Sequence, residues 1–161
     1  MKLAISKELN KEYIEAVELY EKELQQNCTP LIDIYINLGF LYWEFAAEGI
    51  EFNDPNGVPD KWSLIGGERY QKIITQGLEQ YPDSVELHFW KKYFHHRLFF
   101  DDFTEEECED IVREYGDKES LVPYFYLYLF DKDKYQDKRD ELRKRCEELL
   151  TAKNRYILSF S

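Results

Sequence analysis

Cysteine is scarce and badly spaced for a framework: Cys28, Cys108 and Cys146 are odd in number and form no C-x-x-C pair. That argues against a disulfide scaffold or a zinc ribbon, and reduced thiols in a cytoplasmic protein fit better. No apolar run reaches the roughly 18 residues that a spanning helix needs, and MKLAISKELNKEY has no apolar stretch of secretory length. The expectation is a cytoplasmic chain with no membrane partner. Catalytic signatures are missing too. There is no G-x-S-x-G elbow, no H-E-x-x-H, and no Gly-Lys-Ser/Thr ending after Gly66-Gly67. Positive charge is also short, 21 Lys and Arg against 33 Asp and Glu, for a net charge of -12. Such a surface repels nucleic acid and anionic membranes and attracts basic proteins. The chain is therefore expected to be no enzyme, to need no cofactor, and to bind no nucleic acid.

Aromatic residues are plentiful, at 17% of the 161 positions, so a packed core rather than disorder is expected in one domain spanning 1–161. Apolar residues recur at three- and four-residue spacing. Tyr13, Ile14, Val17, Tyr20 and Leu24 mark a helix over 10–26, capped by Asn10. Thr29-Pro30 opens a second, apolar nearly all round, to about Ala47. Residues 49–61 read as a loop, and a third helix runs over 62–80 through Gly66-Gly67. Two glycines there imply either close approach of a neighbour or a later helix start. Tyr81-Pro82 breaks the chain, and Asp83 with Glu86 forms a capping box for a fourth helix over 84–99. Thr104 with Glu107 caps a fifth that ends at Gly116; Asp117 opens a sixth, through Leu129; a seventh runs over 135–154. YFYLYLF at 124–130 has strand propensity, but its place between helical patterns predicts a buried helix. The fold class is all-α, with about seven helices in antiparallel pairs.

Leu38-Gly39 followed by Tyr42, Ala16 and Tyr20 four apart, and Gly77-Leu78 before Tyr81-Pro82 form a weak internal pattern. It resembles the tetratricopeptide repeat, a helix–turn–helix unit with Leu-Gly-x-x-Tyr in its first helix and Ala-x-x-x-Tyr, then Pro, in its second. The resemblance covers roughly 10–150. It departs from the pattern at Lys91-Lys92, at Glu23 and in the 49–61 loop. It implies a right-handed solenoid whose first helices line a concave face. That face would hold Asp33, Ile36, Phe40, Trp43 and Glu44 in one pair, and Glu86, Phe89, Tyr93, His96 and Arg97 in the next.

Two docking surfaces follow. One is this concave face, although core packing alone accounts for Ile36 and Phe40. The other lies in residues 101–120, with ten acids and two bases; Asp101, Asp102, Glu105, Glu106, Glu109 and Asp110 form a patch suited to a basic protein. The plain alternative for the patch is a solvated helix face with acids favoured near its start. His88, His95 and His96 lack metal-site partners, and Asn53, Asp54, Asn56 and Asp60 do not follow an EF-hand spacing, so no metal is expected. A small, acidic, irregular-repeat protein resembles the bacterial immunity and antitoxin-like neutralisers, whose toxins are often basic nucleases. The alternative is an adaptor or chaperone holding a peptide in the concave groove.

Overall fold

A computed structural model describes residues 1–116 and 119–160. Among them there are helices and connections and no strand. The helices are α1 (Lys2–Leu9), α2 (Tyr13–Gln26), α3 (Ile32–Ala47), α4 (Lys61–Gln80), α5 (Val85–Phe99), α6 (Glu105–Glu114), α7 (Tyr124–Leu127), α8 (Lys132–Glu148) and α9 (Ala152–Ser159). A π turn (Gly49–Asn53) and a 3-10 turn (Asp54–Asn56) lie between α3 and α4.

Among the described residues nine α-helices stand where about seven were expected. Residues 2–9 form a helix of their own, so Asn10 closes α1 instead of opening α2. The last expected helix is two: Leu149 turns extended, and Thr151 restarts the chain by accepting from the Asn154 amide. The expected sixth shrinks to one turn at Tyr124–Leu127, and Asp117, its supposed start, lies outside the described residues. Two caps also differ. Ser84, not Asp83, accepts from the Leu87 amide at the head of α5, and Leu31 precedes α3. The Thr104–Glu107 capping box is as expected, with both of its hydrogen bonds present.

Between α3 and α4 the helices touch at glycines. An added Cβ would stand 2.6 Å from Ile74 Cδ1 at Gly39, 2.2 Å from the Tyr42 carbonyl oxygen at Gly66, and 2.9 Å from Tyr35 Cβ at Gly77. Those pairings run in opposite directions along the two helices, so α3 and α4 are antiparallel. Of the two readings of Gly66-Gly67, close approach holds, and at Gly66 alone. The 49–61 segment is also less free than its composition implies. Asn53 is buried, and its Nδ2 donates to the Phe45 carbonyl at 2.8 Å and to Ser63 Oγ at 3.2 Å.

The core is aromatic. Trp43 stacks on Phe94 with centroids 4.8 Å apart, and Phe40 meets Trp90 edge-on at 5.1 Å. One buried acid joins the ends of the chain. Glu8 Oε1 accepts from the Tyr20 hydroxyl at 2.6 Å, while its Oε2 accepts from the Ala152 amide at 2.8 Å, the first residue of α9. Burial raises the Glu8 carboxyl above the usual range, and these two hydrogen bonds pull against that shift.

Candidate functional site

The residues expected to line an open concave face are mostly inside. Ile36, Phe40, Trp43, Phe89 and Tyr93 are at most 2% exposed. Only Asp33 and Arg97 stand exposed, with Glu86 and His96 intermediate. Two helices cover them: α7 sets Phe125 and Tyr126 against Phe89 and Tyr93, and α9, which packs on α3, brings Tyr156 onto Phe40, Trp43 and Tyr93. The Tyr156 ring lies 5.5 Å from Phe40, 5.3 Å from Trp43 and 6.2 Å from Tyr93, and its hydroxyl is 2.6 Å from that of Tyr93. One turn earlier, Lys153 Nζ donates to Glu86 Oε1 at 2.6 Å, and Trp90 Nε1 donates to the same oxygen at 3.1 Å. Burial works against the Lys153 charge, yet Glu86 and Asp33 outweigh it and hold the ammonium above its usual range. Trp43 and Tyr93 are therefore core residues, in place of the contact surface inferred from their chemistry.

The acidic helix stays at the surface, but its charges are partly used. Glu105 and Glu109 lie four residues apart on α6, so they share one face. Lys134 Nζ sits 2.9 Å from each, and the Tyr135 hydroxyl oxygen lies 2.8 and 2.7 Å from them, with one proton to donate to either. Tyr135 first and Lys134 second hold the Glu109 carboxyl below its usual range. Lys92 pairs with Glu107 at 2.9 Å, His95 with Asp101 at 2.6 Å, and Arg113 with Asp110. Among the described residues, Asp102 and Glu106 carry no ion pair. The patch thus narrows from six equal acids to an unpaired pair, flanked by Asp101 and Asp110 with local partners.

The histidines do not converge. His88 Nε2 is 2.7 Å from the Pro82 carbonyl, His95 pairs with Asp101, and His96 Nδ1 meets the Asp101 carbonyl. Among the described residues no group of three His, Cys, Asp or Glu side chains is placed to hold a metal.

Two clefts remain. A volume of about 450 Å³ opens between α4, α5 and α6, with Tyr70, Ile74, Phe94 and Ile111 in its walls and Lys91 and Lys92 beside them. A second, of about 320 Å³, is walled by Tyr13, Glu44, Phe52, Arg97 and Tyr156. Glu44 is 3% exposed, and among the described residues no donor lies within hydrogen-bonding distance of its carboxyl. Burial, then the neighbouring Glu48 and Glu51 carboxylates, push it well above the usual range; Arg97 opposes them. The sequence did hold a signal for it, because Glu44 is the one acid among the apolar residues of FLYWEFAA. Compared with protein-family signatures, with curated proteins and with solved structures, the chain finds no match in any of the three.

Proposed function

We propose that this chain is a protein-binding module of tetratricopeptide-like helix pairs, and that its α6 surface docks a basic protein, as an acidic neutraliser of the immunity type does. The observation that supports this reading is the acid left over on α6 and in the segment just before it. Once Lys134, Lys92 and Arg113 have taken their partners, Asp102 and Glu106 still face solvent unpaired. The chain as a whole has twelve more acids than bases. Long-range attraction from such a surface speeds encounter with a cationic protein more than it slows release. Support for the solenoid comes from the glycine-mediated seam of α3 and α4, where the Leu38-Gly39 and Gly77-Leu78 positions meet the facing helix. The peptide-groove alternative has less behind it, because α9 already covers the aromatic residues a peptide would use.

The test uses the partner captured from the source cells by the immobilised chain and then purified. Asp102→Lys combined with Glu106→Lys should slow its association at least about fivefold at low salt, with a smaller change in dissociation. Raising ionic strength from about 0.1 to 1 M shortens the Debye length from roughly 10 to 3 Å, and the difference should shrink with it. Equal association rates at low salt, or a captured partner of acidic charge, would refute the reading.

A further inference from the structure

Glu44 is a buried acid that lines an opening and has no hydrogen-bond donor from the described residues. More than nine-tenths of the residue is removed from solvent, yet it lines the 320 Å³ cleft. Two of the three cations in the walls are engaged elsewhere, and the third, Lys11, is an exposed side chain at the rim. Arg97 Nη2 donates to Glu48 Oε1 at 3.2 Å, and Arg155 donates to the Leu150 and Leu9 carbonyls at 2.8 and 3.2 Å. The backbone adds to the negative field. Glu44, Arg97 and Ser159 sit in the last turns of α3, α5 and α9, so the C-terminal, negative ends of three helix dipoles border the cleft. The start of α2 at Tyr13 supplies one opposing end. The rings of Tyr13, Phe52 and Tyr156 present π surface in the same walls, and such surface attracts cations.

We propose that this cleft is a binding site for one organic cation, an alkylammonium or alkylguanidinium arm, with Glu44 as its counter-charge. An arm of that kind supplies the donors that the carboxyl lacks, and its methylenes lie against the aromatic walls. The same chemistry is carried by a free amine and by a lysine or arginine side chain of a protein. The site shares no residue with the α6 surface, so the failure of either leaves the other standing.

Its affinity should rise with pH, because a cation binds the ionised carboxylate and must displace the proton that burial favours. The other titratable or charged groups in the walls are Lys11 and Tyr13 before and in α2, Glu48 and Glu51 after α3, Arg97 on α5, and Arg155 and Tyr156 on α9.

Butylguanidinium, butylammonium and neutral butanol serve as free probes, and capped Gly-Arg-Gly and Gly-Lys-Gly peptides as the protein-borne form. Binding is read by the ¹³C shift of the Glu44 carboxyl and by calorimetry. A charged probe should saturate with a Kd of about 1 mM or tighter and lower the pH at which the Glu44 carboxyl titrates. Butanol should bind at least tenfold more weakly, and Glu44→Gln should weaken the charged probes by a similar factor. Tighter binding of a peptide than of its free arm assigns the site to a protein side chain, and the reverse assigns it to a small amine. Absence of saturation by every charged probe on the wild-type chain overturns the proposal, whatever the variant does. Equal binding of butanol, or undiminished binding by folded Glu44→Gln, overturns it as well.

Discussion

Two adjacent glycines in α4 test the helix seam with unusual sharpness. Replacing either by alanine gains roughly 1 kcal/mol of helix propensity. At Gly67 nothing opposes that gain, since the nearest atom to an added Cβ is Ala46 Cβ at 4.0 Å. Gly67→Ala should therefore stabilise the protein by about 1 kcal/mol, which is about 2–4 °C in Tm for a chain of this size. At Gly66 the added carbon would meet the Tyr42 carbonyl oxygen at 2.2 Å and Phe45 Cβ at 3.1 Å. A carbonyl held in α3 cannot rotate aside as a side chain does, so the two helices must move apart. Overpacking of this kind costs about 1–3 kcal/mol, and more where backbone must shift. The propensity gain offsets only part of it, so Gly66→Ala should lower Tm by several degrees. Both variants are measured by calorimetry in one buffer, and the comparison rests on the opposite signs. A Gly66→Ala protein as stable as wild type would mean that α3 and α4 do not approach as described.

Glu44 gives a pH-dependent expectation. Its folded pKa is raised from the ordinary 4.5, so the folded state holds the proton more tightly and stability falls as pH climbs from about 4.5 through the raised value. Glu44→Gln should therefore be stabilising at pH 8, by about 1–3 kcal/mol, and close to neutral at pH 4.5; a pH-independent difference in Tm would refute this. Tyr156→Ala should cost about 3–5 kcal/mol and shift the tryptophan fluorescence to the red, because it uncovers Trp43; an unchanged spectrum would argue that α9 does not lie there. With a thiol reagent at neutral pH, Cys28 should react fast. Cys108 and Cys146 are buried, and burial raises both thiols, Cys146 to about 11, so they should react only on unfolding; three fast thiols would contradict the packing.

Local signals were legible and distant ones were not. The all-round apolar pattern of residues 32–45 announced a helix packed on several sides, and Thr104-x-x-Glu107 announced its own cap; both depend on neighbours a few residues away. Residues 2–9 carry no strong apolar stripe, so α1 is held by contacts its own sequence does not advertise, Glu8 to Tyr20 among them. The break at Leu149–Thr151 has neither glycine nor proline, and the hydroxyl of Thr151 marks it only weakly. The larger miss concerns Trp43, Phe89 and Tyr93. Their spacing gave one shared face, but whether that face meets solvent depends on where α7 and α9 return, and Tyr156 of α9 is more than a hundred residues from Trp43. The acids of α6 were found by composition, whereas the pairing of Glu105 and Glu109 with Lys134 and Tyr135 is a matter of tertiary approach.

Stacked helix pairs ordinarily touch only their neighbours, which lets such chains fold outward from any point and fray from either end. The hydrogen bond from the Ala152 amide to Glu8 is of another kind, because it spans 144 residues and ties α9 to α1. A contact of that span needs α9 to be present, and Tyr156 of the same helix reaches Phe40 and Trp43 with it. Completion is thus a late, single event with a large loop-closure cost, which favours slow folding and all-or-none unfolding over gradual loss from the termini.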